Sequence, residues 1–218
     1  MLNVCTACGL SNVEPELSAA GDSVCPSCGE RRRELERLPL LLVGGPAGAG
    51  KSTTGALLLG ELSEAVLIES DLLWRKEFNT PEDGYNNYFR LWLRLAAHIS
   101  QSGKPVALFG AGFAVPHSVE PLRERALFSV VHYLGLTCED ETLKARLRAR
   151  PTWRNTTDEL IREHVKFNHW LKENAATTSP PVTLIDTTTD SPEETAARVA
   201  AWIRARAAGA TRRSVSRL

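Results

Sequence analysis

The chain has 218 residues, enough for a buried core and for one or two domains. Apolar residues make up 43% of it and charged residues 24%, with 26 acids against 26 bases. That balance excludes an electrostatic case for nucleic acid or an acidic membrane surface, and no apolar run is long enough to span a bilayer. The N-terminus, Met1-Leu2-Asn3-Val4-Cys5, lacks the basic and apolar regions of a signal peptide, so a cytoplasmic protein with reduced cysteines is expected.

Four of the five cysteines open the chain, as Cys5-Thr6-Ala7-Cys8 and Cys25-Pro26-Ser27-Cys28. Two C-x2-C pairs separated by 16 residues fall within zinc-site spacing. Each turn aims two thiolates at one point, and the two complete a tetrahedral S4 site with no open position, hence a structural one. Disulfides are disfavoured in a reducing compartment, and a redox C-x-x-C would need only one pair. Gly9 and Gly29 leave the amides that follow free to hydrogen-bond the sulfurs. Few large apolar residues accompany these cysteines, so the segment is expected to draw most of its stability from metal. Arg31-Arg32-Arg33 then opens a charged run to Arg37 that reads as a helical linker.

Leu40-Leu41-Leu42-Val43 reads as a strand running into a glycine-rich turn. Residues 45–52 match G-x-x-x-x-G-K-[ST], the phosphate-binding P-loop. The backbone of Gly45, Ala47, Gly48, Ala49, Gly50 and Thr53 is expected to face phosphate oxygens. Lys51 supplies a mobile charge for the β and γ phosphates, and the Ser52 hydroxyl can ligate Mg²⁺. Alternating patterns follow: a helix over 50–62, a strand over 65–69, a helix over 85–102, and a strand over 106–109. Next come a helix over 118–125, a strand over 128–134, helices over 139–150 and 157–174, and a strand over 182–186. A last helix begins at Pro192 with Ser191 as its N-cap. Short apolar strands separated by helices indicate an α/β fold, a parallel sheet covered on both faces.

Acids at strand ends distinguish the kinds of P-loop protein. The third strand ends Leu108-Phe109-Gly110-Ala111-Gly112, with no acid; the second ends Glu69-Ser70-Asp71. Ligands bind beyond the carboxyl ends of parallel strands, so Asp71 is expected to face the P-loop, where it can take a proton from an attacking hydroxyl. Its alternative role is an N-cap before Leu72-Leu73-Trp74. Arg146 and Arg150 lie one helical turn apart, with Arg154 beyond Pro151, and can stabilise charge on a transferred phosphoryl group. An Arg-rich helix is also commonly a solvated face.

On these motifs, residues 39 to about 205 resemble the small P-loop kinases of the nucleoside-monophosphate-kinase-like superfamily. Within it the likeness is to gluconate, shikimate and adenylylsulfate kinases and chloramphenicol phosphotransferase. It is carried by Gly-Pro-Ala-Gly-Ala-Gly-Lys-Ser-Thr, by Ile68-Glu69-Ser70-Asp71 and by Arg146-Leu147-x-x-Arg150. Residues 1–38 resemble a zinc ribbon with its charged linker, and 209–218 read as a disordered tail after the kinase domain of 39–208.

The resemblance implies a three-layer fold with five parallel strands in the order 2-3-1-4-5, Mg²⁺-ATP as donor and a lid that closes over it. It gives Lys51 and Ser52 the phosphate and Mg²⁺ roles, and makes Asp71 the base or acceptor-orienting residue. Arg146 and Arg150 become lid arginines near adenine and phosphates. Glu69 stands where the family often has the first Asp of an Asp-x-Asp pair. On the acceptor side, Trp74, Arg75, Asn86, Asn87, Arg90 and the Gly110-Ala111-Gly112-Phe113 loop match no substrate signature. Arg75 and Arg90 are candidates for an anionic acceptor, Arg90 being equally readable as a solvent-facing helix residue, and Gly112 and Asp71 complete the candidate set. His164 and His169 lack metal spacing, Cys138 reads as a small buried residue, and Phe167-Asn168-His169-Trp170-Leu171 reads as core packing.

The expected function is therefore transfer of the γ-phosphate of ATP to a hydroxyl of a metabolite, nucleoside or antibiotic. Two alternatives stand beside it. One is a kinase for a nucleotide or nucleic-acid end presented by the zinc module, against which the neutral charge counts. The other is a non-catalytic ATP-binding switch whose ribbon binds a partner. The ribbon's contact is expected to be a partner or the kinase domain itself.

Overall fold

The computed structural model describes residues 4–5, 7–11, 16–18, 22–32, 36–78 and 80–208. The expected tail of 209–218 and residues 33–35 of the charged run lie outside the described residues. The N-terminal segment folds around its cysteines as a three-stranded antiparallel sheet of β1 (Glu16–Leu17), β2 (Ser23–Val24) and β3 (Arg31–Arg32). Arg31 and Arg32 are thus strand and not the start of a helix. Gly29, at φ +72°, turns the chain after Cys28 so that Arg31 pairs with Val24. Strand β1 lies against the turn Arg123–Leu127 of the main body. The end of the linker is pinned there as well: Glu36 and Gln101 exchange hydrogen bonds of 2.8 and 3.1 Å, and Arg37 donates to the Phe128 carbonyl at 2.9 Å.

An apolar run without alternation needs cover on both faces, and β4 (Leu40–Gly44) obtains it at the centre of a parallel sheet. The other strands are β5 (Val66–Glu69), β6 (Val106–Phe109), β7 (Val131–Thr137) and β8 (Val182–Asp186), in the order β5-β6-β4-β7-β8. This is the expected 2-3-1-4-5 arrangement, with Leu40 in register with Val106 on one side and Val131 on the other. The helices are α1 (Lys51–Leu58), α2 (Asn86–Ile99), α3 (Asp140–Arg148), α4 (Asp158–Asn174) and α5 (Pro192–Ala207). Leu40, Leu42 and Leu108 meet Trp92 and Leu93 of α2 on one face. Leu41, Val43 and Phe109 meet Leu58 of α1 and Val199 and Ile203 of α5 on the other. Ser191 and Glu194 form a reciprocal capping box at the start of α5.

Three expected elements differ. No α-helix forms over 118–125; two short 3-10 turns, Pro116–Ser118 and Arg123–Leu127, take its place. Pro116 and Pro121 lack the N–H that a helix would need there. The fourth strand runs Val131–Thr137 instead of 128–134, because pairing with Asp186 of β8 carries it through Gly135 to Thr137. Phe128 is buried in the core from the preceding loop. Helix α1 stops at Leu58, since Leu59 is extended and Gly60 has φ +83°. Among the described residues no helix is long and apolar enough to cross a membrane.

Candidate functional site

The turn after β4 has backbone that most side chains would not tolerate. Gly45 has φ +131°, and a Cβ there would sit 2.3 Å from the Leu136 carbonyl oxygen. Gly50, at φ +97°, begins α1 with no side-chain cap, so the first helical amides are left for an anion. A cleft of about 310 Å³ is lined by Gly48, Ala49, Gly50, Lys51, Ser52 and Thr53 together with Arg146, Arg150, Thr187 and Asp190. Gly45 and Ala47 stand behind that lining. The Ala47 amide donates to His164 Nδ1 at 3.3 Å.

Lys51 Nζ curls back onto the loop, donating to the Gly45 and Pro46 carbonyls at 2.8 and 2.9 Å. Burial pushes its pKa down to about 8; Asp71 and Glu69 oppose the shift and Arg150 adds to it. Below pH 8 the ammonium is charged and ready for phosphate. Above it the empty protein has lost the proton, and binding must take it up again. ATP affinity is therefore expected to fall by up to roughly tenfold per pH unit above about 8. Calorimetric titration at pH 7, 8 and 9 checks this, with Lys51→Arg expected to flatten the dependence; an affinity unchanged over that range contradicts it.

The acids sit where β5 ends. The Ser52 hydroxyl donates to Glu69 Oε1 at 2.5 Å, so the residue in the family's first-Asp position meets the expected Mg²⁺ ligand directly. Asp71 lies exposed in the 3-10 turn Ser70–Leu73, which no side chain caps; the N-cap role is not realised. The charge of Asp71 nonetheless reaches Lys51, Arg150 and Tyr88. No acid stands at the end of β6, where the Gly110 amide instead donates to the Val43 carbonyl at 2.9 Å.

Helix α3 roofs the loop. Its Leu143 and Leu147 are wholly buried with Cys138 and Ile161 of α4, and Ala47 packs against the same cluster. Arg146 donates to the Thr187 hydroxyl at 3.1 Å and to its carbonyl at 2.8 Å, which ties the roof to the loop after β8. Arg150 is half-buried just past α3; burial and then Arg154 lower its pKa, and Asp71 opposes them. Neither arginine is a purely solvated residue. His164 of α4 meets the loop at the Ala47 amide, its pKa pushed down to about 4 by burial first and then by Lys51 and Arg150. A folded pKa below the ordinary value of about 6.5 means stability is full above pH 6.5 and lost as pH falls toward 4. His164→Gln should flatten that acid loss in thermal unfolding between pH 7 and 5; an unchanged slope contradicts the assignment.

The acceptor candidates are divided. Arg75 is exposed beyond the Asp71 turn. Arg90 is not solvent-facing: with Arg94 and Arg123 it binds Glu124, which is 1% exposed, at 3.2, 2.8 and 3.4 Å respectively. That pairing accounts for its charge without an anionic acceptor. Gly112 packs under α2, where a Cβ would approach Phe89 Cζ to 3.0 Å.

Sequence reasoning missed His164, Thr187 and Asp190. The last two follow the carboxyl end of β8, where parallel-sheet ligands gather, and that rule could have found them. His164 carries no spacing signal. Trp170 and Phe167 do stack with each other, at 6.3 Å between centroids.

In the ribbon, the sulfurs of Cys5, Cys8, Cys25 and Cys28 all lie within 4.8 Å of one another. The Cys5–Cys28 and Cys8–Cys25 separations are both 3.7 Å. Zinc with bonds of about 2.3 Å to a sulfur tetrahedron requires edges of about 3.8 Å, so the residues fit that ion. The Cys8 amide, against burial, holds the Cys5 thiol down to about 6, and the Cys28 amide likewise lowers Cys25. The Glu30 amide reaches Cys28, as the glycine-turn reading expects, while Gly9 and Gly29 give their own amides to the Cys5 and Cys25 carbonyls.

Three solved structures share the fold. A sugar kinase from Janibacter sp. HTCC2649 aligns with 81% of this chain and 100% of its own, at 18% identity and a TM-score of 0.59. The tunicamycin resistance protein of Deinococcus radiodurans aligns with 77% and 96% at 17% identity and a TM-score of 0.55. Shikimate kinase from Bacteroides thetaiotaomicron aligns with 77% and 98% at 17% identity and a TM-score of 0.50. A comparison with curated proteins finds no match. The sheet order, the glycine turn and its roof are those of a P-loop kinase fold. A protein-family model described as AAA domain matches residues 40–173, from β4 to the last turn of α4, and the chain belongs to that P-loop family.

Proposed function

We propose that the chain transfers the γ-phosphoryl group of ATP to a hydroxyl of a small molecule. The observation that carries this is Asp71, exposed beyond β5 and acting on both Lys51 and Arg150, together with a β6 end that holds no acid. The acceptor hydroxyl gives its proton to the Asp71 carboxylate as its oxygen bonds to the γ-phosphorus. The bond from that phosphorus to the β–γ bridging oxygen breaks, and ADP leaves with the electron pair. Lys51 and Arg150 stabilise the charge that spreads over the transferred group, and Arg146 with Thr187 frames the nucleotide end of the cleft. Ser52 with Glu69 would hold Mg²⁺, which would offset the negative charge of the phosphates when bound. Cys5, Cys8, Cys25 and Cys28 would hold a structural zinc ion.

The sugar and shikimate kinases among the structural relatives support a small-molecule acceptor. ATP consumption with sugars, nucleosides and antibiotics as added compounds tests the reading. At least one should accelerate it and yield an equal amount of phosphate monoester. A slow rate indifferent to every compound would favour a nucleotide-binding switch instead.

A further inference from the structure

Trp74 follows Asp71 by three residues, and its amide donates to the Asp71 carbonyl at 3.0 Å, so indole and carboxylate are built on one turn. The ring is braced from behind. Tyr85 lies 5.5 Å away between centroids, tilted by 36°, and Tyr88 lies 5.2 Å away edge-on. Tyr88 donates its hydroxyl to the Ser70 carbonyl at 2.8 Å, and the aromatic series continues through Phe89 to buried Phe113, beside Gly112. Tyr85 is held at φ +64°, a region a bulky side chain seldom occupies. Despite all this packing, Trp74 remains 51% exposed. A fixed, open indole beside the proposed base is a surface for stacking.

The face of an indole carries negative quadrupole density, so it repels an anion and favours a neutral ring with flat C–H edges. On α2, Arg90 and Arg94 are committed to Glu124; Arg75, next to Trp74, is the exposed cation whose pull on an anion the gluconate arm below measures. An acyclic polyol offers no flat face and loses more rotor freedom on binding. We propose that Trp74 is the acceptor platform and that the acceptor is a neutral cyclic sugar, free, glycosidic or within a nucleoside. It stacks on the indole with one hydroxyl turned to Asp71. The assignment rests on Asp71 being the base of the reaction proposed above.

The test reads binding apart from turnover. The full chain, loaded with Mg²⁺ and a non-hydrolysable ATP analogue, is titrated with methyl β-glucopyranoside, uridine and sodium gluconate by calorimetry. The pyranoside arm and the nucleoside arm distinguish the two sources of the ring. At least one cyclic probe should bind, Trp74→Ala should weaken it tenfold or more, and Trp74→Phe should stay within threefold of the native chain. Affinity for the nucleotide analogue should be the same in all three proteins, and each should unfold in one cooperative transition. Binding that Trp74→Ala leaves unchanged, a preference for gluconate, or no binding of either cyclic probe overturns the platform. Ring binding lost in Trp74→Ala, without any ester formed from ATP, would sink the phosphotransferase and keep the platform. Ester formation indifferent to Trp74→Ala would do the reverse.

Discussion

Asp71→Asn is expected to slow phosphoryl transfer by about 10²- to 10⁴-fold, the range for losing a general base, and to leave ATP affinity at neutral pH nearly unchanged. Asparagine keeps the size and polarity of the side chain but cannot take the acceptor proton. The fold should not register the change, because Asp71 is exposed and caps no helix. Surface substitutions of that kind stay within about 0.5 kcal/mol. A second effect separates this variant from a merely structural one. Asp71 supports the charged form of Lys51, so its loss should move the pH onset of weakened ATP binding below the native value of about 8. Single-turnover kinetics with an active acceptor, alongside nucleotide titrations across pH, measure both. Near-normal transfer in Asp71→Asn would remove the base assignment.

Zinc removal should have the other large effect, and on a different part of the molecule. Among the described residues of the ribbon the buried apolar ones include Cys5 and Cys25 themselves. Apparent zinc binding in such modules amounts to about 10–16 kcal/mol, far more than three two-residue strand segments supply, so the proposed metal is expected to hold the segment folded. Chelation, or Cys25→Ser, is expected to erase the ordered NMR signals of the ribbon. The melting transition of the β4–β8 body should stay close to native, since among the described residues its buried clusters contain none from the ribbon. Metal analysis should find one zinc per chain. A protein that purifies without zinc and keeps ribbon signals in chelator would contradict the site.

The sheet was legible because its signals are local and redundant. Residues 40–43 are continuously apolar, the glycine turn follows at once, and two later strands are preceded by breakers, Gly103-Lys104-Pro105 and Pro180-Pro181. The failures occurred where tertiary pairing decides. Val131 opens its strand because it must sit opposite Leu40, and nothing within residues 128–134 encodes that register. Arg31 and Arg32 look helical in charge pattern, yet the turn through Gly29 brings them into pairing with β2.

The site divides in the same way. Lys51, Ser52 and the four cysteines are motif residues whose spacing carries the chemistry. Arg90 could be read only as a cation on a helix, since its partner Glu124 is 34 residues away in a turn mistaken for helix. His164 meets Ala47 across 117 residues, a contact that exists only once α4 has packed behind the loop.

Oxygen from solvent gives the most direct measurement of the central claim. In water enriched in ¹⁸O, with ATP, Mg²⁺ and an active cyclic acceptor, transfer to the acceptor hydroxyl yields a phosphate monoester that contains no solvent oxygen. Hydrolysis would instead place one solvent oxygen in inorganic phosphate. Phosphorus NMR resolves the two. Asp71, Lys51 and Arg150 acting together on an acceptor predict unlabelled monoester as the principal product, and its loss in Asp71→Asn. Labelled inorganic phosphate as the principal product with every acceptor would contradict it.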